Sequence, residues 1–379
     1  LQAQYKKDFS EKWSIQAQGK YNYSWNKYKD EGAEYADGYI IDRYTQNEYY
    51  TSVSALYTPL NGLHLSAAQD FAVNTLHSNM PECAFPVRFT SLSAIRARYE
   101  IRRFKFDASL LNTFITESVE YGEQPDNLKR LSPSASISYK PIDSESLFLR
   151  AMYKSTFRTP TFNDLYYYRM GNRNLKPEKA QEYNIGITWM KQNIGSVIDY
   201  LSFTADAYYN SVKDKIVAFP TTYIWKMQNY GKASIKGVDI TGAASITPHE
   251  GYTLSLSAGY TYQRAKDITD PDAKNYKHQL PYTPKHNGNI SASLETPWIT
   301  LGYSIIAVGK RYYKAQNIPD NEIESYTDHT LSLSRTFNIK ECKLRLQGDI
   351  VNLTDSQYDV IKYYPMPGRS WRITASINF

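Results

Sequence analysis

Cysteine is nearly absent from this chain: Cys83 and Cys342 are the only two in 379 residues, so no disulfide framework holds it together. Long apolar runs are absent as well. The most apolar stretch, 296–309, contains Pro297 and falls short of the ~20 residues a spanning helix needs. Helical periodicity is also missing, with no useful run of apolar residues at i, i+3, i+4 and i+7, which weighs against a set of soluble helical domains. Catalytic signatures are equally scarce. His64, His77, His249, His278, His286 and His329 are scattered, with no H-E-x-x-H, no G-x-S-x-G and no cysteine beside a histidine. Asp267, Asp270 and Asp272 carry the oxygen ligands calcium takes, but their spacing misses the EF-hand loop, and Lys266 and Lys274 oppose a cation. The expectation is therefore no enzyme, no metal and no cofactor. A net charge of +6 is too diffuse to argue for a nucleic acid partner.

What is abundant is tyrosine, 35 residues, with six tryptophans, a composition that suits the aromatic belts of a membrane barrel. Period-two alternation runs along the whole chain. Trp371, Ile373, Ala375, Ile377 and Phe379 fall on one face of the last strand, and Arg372, Thr374, Ser376 and Asn378 on the other. Tyr252, Leu254, Leu256, Ala258, Tyr260 and Tyr262 oppose Thr253, Ser255, Ser257, Gly259 and Thr261 in the same way. Strands with one apolar face fit a soluble sandwich or a barrel in lipid. Only a closed sheet satisfies every backbone group inside a bilayer.

Alternation predicts about sixteen strands, beginning near residues 12, 46, 62, 88, 104, 131, 146, 180, 199, 232, 251, 284, 298, 326, 342 and 368. Long connections at 26–45, 75–87, 116–130, 157–179, 220–231, 266–283, 311–325 and 354–367 alternate with short ones throughout. Greek-key sandwiches do not sort their loops this way; outer-membrane barrels do, with short periplasmic turns and long outer loops. The fold class expected is all-β, a transmembrane antiparallel β-barrel. Its parity puts the last strand running inward, with the C-terminus on the periplasmic side. Trp371, Ile373, Ile377, Leu254, Leu256 and Tyr260 should then face lipid, and Arg372, Thr374, Thr253, Ser255 and Ser257 the lumen.

Several loop segments are distinctive. Phe157-Arg158-Thr159-Pro160-Thr161-Phe162-Asn163-Asp164-Leu165-Tyr166 is followed by Gly171-Asn172-Arg173-Asn174-Leu175-Lys176-Pro177-Glu178. Further on come Asn229-Tyr230-Gly231 through Lys236-Gly237-Val238-Asp239, Pro281-Tyr282-Thr283-Pro284-Lys285-His286, Val351-Asn352-Leu353-Thr354-Asp355 and a terminal Phe379. In content, order and spacing these resemble the TonB-dependent outer-membrane receptors, in the branch that takes vitamin B12 or iron chelates. The resemblance implies a barrel of ~22 strands filled by a plug, of which residues 1–379 would be the C-terminal part, with the plug and first strands missing. It also implies a Gram-negative outer-membrane location and active uptake of a scarce bulky nutrient (cobalamin, an iron chelate or a haem-like ligand), energised through TonB. Trp371 and Phe379 would form the signal read by the barrel-assembly machinery.

Tyrosine and tryptophan give large rigid contact area, and arginine adds anion contacts. Tyr166, Tyr167, Arg169, Tyr223, Trp225, Arg311, Tyr313 and Tyr363 are therefore the candidate ligand contacts on the outer loops. The same residues would also suit an aromatic girdle with lipopolysaccharide contacts. A passive pore or an adhesive barrel without energy coupling is the competing reading.

Overall fold

The structure, a computed structural model, describes residues 1–32, 37–81, 83–220, 224–339 and 342–378. Tyr223 and Phe379 lie outside the described residues. The chain is almost entirely β-strand. In order come β1 (Gln2–Ser10), β2 (Trp13–Glu31), β3 (Tyr39–Leu60), β4 (Leu63–Ser78), β5 (Val87–Ile101), β6 (Phe104–Ser118), β7 (Leu128–Tyr139) and β8 (Ser146–Arg158). A short helix, α1 (Phe162–Tyr166), is followed by β9 (Glu178–Ile194), β10 (Ile198–Pro220), β11 (Trp225–His249), β12 (Tyr252–Asp267), β13 (His286–Glu295) and β14 (Thr300–Val308). Last come β15 (Arg311–Tyr312), β16 (Glu322–Ile323), β17 (Tyr326–Ile339), β18 (Cys342–Val351), β19 (Asp359–Ile361), β20 (Tyr364–Pro365) and β21 (Ser370–Asn378). Seventeen of these strands are joined in sheet, while β15 with β16 and β19 with β20 form two-residue ribbons inside long loops. No helix among the described residues is long and apolar enough to cross a membrane.

Seventeen is one more than alternation predicts, and the addition is β1. It pairs antiparallel with β2, Gln2 opposite Lys20 and Tyr5 opposite Ala17. Lys7 falls on the same side as Ala3, Tyr5 and Phe9 and breaks the apolar pattern there. Two other strands start earlier than expected, β3 at Tyr39 and β11 at Trp225. The β2–β3 ladder continues through Lys27 opposite Arg43 and Glu31 opposite Tyr39, where polar and apolar residues mix on both faces of β3 and alternation carries no signal. The short turns are tight, with Leu60 opposite Leu63, Ile101 opposite Phe104 and His249 opposite Tyr252. Gly62 needs its φ of +83°, and a Cβ there would lie 2.3 Å from the Glu100 carbonyl.

The chain divides into two compact units. The first comprises 1–137, 152–182 and 212–230; the second comprises 138–151, 183–211 and 231–379. In the first, β1 to β6 form a continuous antiparallel ladder. Its outer face carries cross-strand aromatic pairs, Trp13 stacked on Tyr57 at 4.3 Å and Tyr21 against Tyr49 at 5.1 Å. The inner face carries Ser52 bonded to Asp70 and, at the loop end, Tyr44, Leu76, Arg88 and Glu117. The buried apolar residues gather at that loop end around α1. Tyr44, Leu76, Met80 and Phe162 form one cluster, and Leu165, Leu175 and Ile216 another.

In the second unit, registers put like against like. Leu254 faces Leu294, which faces Leu301, while Ser255 faces Ser293. On β21, Trp371 and Ile373 are exposed opposite Ile350 and Gly348, and Arg372 Nε turns the other way to bond Asp349 at 2.9 Å. The buried Asp349 carboxylate also accepts from the Gln347 side chain at 2.7 Å.

Candidate ligand-binding loops

The loop between β8 and β9 folds back onto the inner face of the first unit. Thr161 caps α1: its hydroxyl accepts from the Asp164 amide while the Asp164 carboxylate accepts from the Thr161 amide. Arg158 Nη2 pairs with the same carboxylate oxygen of the buried Asp164 at 2.7 Å. Pro160 ends β8 without wasting a ladder donor, and its carbonyl accepts from Arg88 Nη1 at 2.8 Å. The Arg88 guanidinium also lies 4.8 Å from the Phe162 ring and pairs with Glu117 at 2.5 Å.

Tyr166 donates its hydroxyl to that same Glu117. Burial, then the Glu117 bond, pushes the Tyr166 phenol above its ordinary value. Tyr167 stacks on Tyr44 at 4.1 Å, and the Tyr44 hydroxyl accepts from the Tyr168 amide at 3.1 Å. Arg169 follows with φ +64° and its guanidinium 5.3 Å from the Tyr168 ring. Gly171 is required by contact, because a Cβ there would lie 2.6 Å from the Leu165 carbonyl.

Two of the sequence segments turn out to be one joint. The Asn229 side chain accepts from the Lys176 amide at 2.7 Å and donates to the Lys176 and Asp214 carbonyls at 2.9 and 2.7 Å. Asn172 reaches the Met227 carbonyl at 3.1 Å. Behind this joint is a cavity of about 280 Å³, lined by Arg88, Ile115, Glu117, Leu128, Arg173 and Lys176 among others.

The second group lies in the loops of the other unit. Arg311 is only 3% exposed, with Nη2 donating to the Asp359 and Val360 carbonyls and Nη1 to the Glu324 carbonyl at 3.2 Å. Its guanidinium lies 5.3 Å from the Tyr326 ring, which stacks on Tyr358 at 4.0 Å. Burial pulls the Arg311 pKa below its ordinary value. Arg311 thus ties three loop segments together through their main chains. Tyr313 and Tyr363 meet edge to face at 6.2 Å, with Lys314 and Lys362 Nζ at 5.0 and 6.0 Å from the Tyr313 ring. Tyr363 is 75% exposed, and its hydrogen bond to Tyr313 raises its pKa.

Tyr166, Tyr167 and Arg169 are therefore brought together, with Trp225 at the start of β11 in the same unit. Arg311, Tyr313 and Tyr363 form a separate group. Sequence reading missed Arg88, Glu117 and Tyr44, which sit within strands and carry no local signal. Asn352 was legible: it is buried, donates to the Ser356 carbonyl at 2.9 Å and accepts from the Ser356 amide at 2.9 Å, closing its own turn.

Comparison with known proteins places this architecture. The chain is 25% identical over 331 residues to the vitamin B12 transporter BtuB of Photobacterium profundum, covering 85% of this chain and 48% of that protein. It is 27% identical over 232 residues to the vitamin B12 transporter BtuB of Vibrio vulnificus, covering 59% of this chain and 33% of that protein. It thus spans at most about half the length of these two relatives. The copper transporter OprC superposes with a TM-score of 0.78 at 14% identity, covering 99% of this chain and 64% of that one. BauA, the ferric preacinetobactin receptor of Acinetobacter baumannii, superposes at 0.73 and 15% identity, covering 100% and 62%. At such identity these likenesses speak to the fold alone. The family model described as TonB dependent receptor-like, beta-barrel matches residues 1–353, and the chain belongs to that family of outer-membrane receptor barrels.

Proposed function

We propose that this chain is the C-terminal part of the barrel of an outer-membrane importer for a scarce, bulky nutrient, cobalamin or an iron chelate, energised through TonB. The protein would carry a plug inside about 22 strands, lie among outer-membrane lipid and lipopolysaccharide, and end at the periplasmic face. Trp371 and Phe379 would serve the barrel-assembly machinery. No chemical step belongs to this reading.

The observation that carries it is the loop 157–178, locked to the inner face by Arg88, Glu117 and Asp164. This lock holds Tyr167, Tyr168 and Arg169 in one fixed surface, the preorganisation a ligand site needs. The proposed ligand contacts are Arg169 and Trp225 in the first unit and Tyr313 and Tyr363 in the second, with Tyr166 and Arg311 as supports within their own units. The relatives named as vitamin B12 transporters favour cobalamin as the first ligand to try.

The test is equilibrium binding of cyanocobalamin and of ferric siderophores to the full-length receptor, alongside growth on each nutrient with and without TonB. Binding weakened by Arg169→Ala and Tyr313→Ala, with TonB-dependent growth, is the expected result. Diffusive, TonB-independent flux of small solutes would favour the passive pore.

A further inference from the structure

The outward face of β11 and β12, in the second unit, changes character within one residue pair. Toward its middle it is apolar and aromatic, with Ile240 opposite Tyr260 and Val238 opposite Tyr262. The next pairs on that face, toward the loop end, are Lys236 opposite Arg264 and Ser234 opposite Lys266. Lys232 follows, its carbonyl accepting from the Ile268 amide at 2.9 Å. Burial alternates with the same period: Lys232, Lys236 and Arg264 are exposed and Lys266 half-buried, while Ala233, Gly237, Ala265 and Asp267 are buried on the other side.

These four cations have no acid to meet. Strand cations elsewhere are matched, as in Lys20 with Glu48, Arg96 with Asp107 and Arg150 with Asp206. No carboxylate among the described residues pairs with Lys232, Lys236, Arg264 or Lys266. The acids of this stretch point inward: Asp239 lies opposite Thr261, and the buried Asp267 accepts from the Thr269 amide at 2.8 Å and from Asn275 Nδ2 at 2.5 Å. Like charges set directly opposite each other destabilise a sheet, yet Arg264 faces Lys236. Such a pair is tolerated where an anion from outside the chain lies across it. This face is turned away from the interior, and β11 and β12 have β10 and β13 as neighbours, so neither a further strand nor anything filling the barrel reaches it.

Height on the wall selects the anion. Tyr260 and Tyr262 lie just below the cations, and the Tyr209 ring is 5.1 Å from Lys236 Nζ. An aromatic band of this kind marks the membrane boundary. Cations immediately beyond it stand among lipid headgroups, where lysine and arginine clusters attract anionic lipid. From Lys232 to Lys236 the strand rises about 13 Å at ~3.3 Å per residue, room for two phosphate groups in line.

We propose that Lys232, Lys236, Arg264 and Lys266 bind the headgroup of a lipid that carries two phosphates, in the leaflet at the loop end of the wall. The site rests on this face meeting lipid and is independent of which nutrient is imported.

The test uses the full-length receptor in phosphatidylcholine nanodiscs doped with bis-phosphorylated lipid A, with native mass spectrometry counting the lipid retained. Saturable retention is expected, weakened at least tenfold when Lys236→Gln and Arg264→Gln are combined, and several-fold when the lipid A carries one phosphate. Lys20→Gln removes a charge from the inner face and should change nothing. Stability gives a second reading with a sign change. In neutral detergent without lipid, Arg264→Gln should raise the denaturation midpoint, because repulsion from Lys236 is relieved; with lipid A present it should fall below wild type. Retention indifferent to the double substitution would overturn the proposal. So would displacement by inorganic phosphate at constant ionic strength, which would mark a free-anion site, or equal retention of phosphatidylglycerol, which would mark an unselective lipid contact.

Discussion

The loop 157–178 of the first unit and the loops of 309–325 and 352–369 in the second have the same composition, clustered tyrosines with arginine and lysine. They differ in what holds the candidate contact residues. In the first, the strands supply a buried acid: Glu117 of β6 holds Arg88 and Tyr166 together, and Tyr44 of β3 carries Tyr167. In the second, Arg311 is spent on main-chain carbonyls, and Tyr313 and Tyr363 rest on each other and on neighbouring lysines. A tyrosine fixed by a remote carboxylate is a strut, and Tyr363, mostly exposed and resting on the half-buried Tyr313 ring, is left with a free face. The contrast separates rings with a buried partner from rings without one, a distinction that composition alone does not make.

Breaking the strut should have the largest effect. Glu117→Ala leaves the Arg88 guanidinium largely buried and unpaired, and removing one partner of a buried pair costs about 3–5 kcal/mol. We expect α1 to detach, read as loss of hydrogen-exchange protection at 162–168 and new proteolysis in that loop, with the β-strands intact. Retained protection would show that the apolar clusters alone hold α1. Next in size is the wall itself. Leu256→Arg near the bilayer midplane should cost about 2–4 kcal/mol, and Ser255→Arg far less, because only the former puts charge against lipid. Equal shifts in the denaturation midpoint would mean that the faces are assigned wrongly.

The strands were legible because a wall with lipid on one side imposes a period of two on every residue within it. Starts at 104, 146, 326 and 342 coincide with expectation. The signal fails at the loop ends of β3 and β11, where polar and apolar residues mix on both faces, and where Lys7 interrupts β1. The candidate loops were legible as segments, since Pro160, Gly171 and Asn352 answer local backbone demands. Their roles were not. Whether Tyr166 supports or contacts depends on Glu117, 49 residues away, and on a register shared by several strands. Arg311 read as an exposed cation in the loops, yet the carbonyls that bury it come from 324, 359 and 360.

Arg311→Met sharpens the comparison from the other side. It removes charge-assisted bonds to three carbonyls; one bond to a charged group is worth roughly 1.5–3 kcal/mol, and losing the buried charge also lifts its desolvation cost, so the net loss of loop stability in the second unit should be about 2 kcal/mol. Smaller still is the phenol of Tyr166. Its pKa is raised in the folded state, so the unfolded chain gives up the proton first; the stabilisation is intact below the ordinary tyrosine pKa of about 10 and fades as pH climbs beyond it. Tyr166→Phe should therefore lower the denaturation midpoint at pH 8, and the difference from wild type should shrink by pH 11. A constant difference would mean that folding does not raise the Tyr166 pKa.

The smallest structural effect belongs to Tyr363, and it is the decisive one for function. Its ring is mostly exposed, its amide is held by Asp359 at 3.0 Å regardless of side chain, and its φ of +70° favours a small residue over a large one. Tyr363→Gly should leave the denaturation midpoint unchanged or slightly raised. If the exposed pair is a contact surface, the same substitution should weaken nutrient binding to the full receptor several-fold, and Tyr313→Ala should add little once Tyr363 is gone, because each ring positions the other. Fully additive losses would separate the two tyrosines into independent contacts. Unchanged affinity in the double variant would return these rings to the aromatic girdle and leave the locked loop of the first unit as the candidate surface.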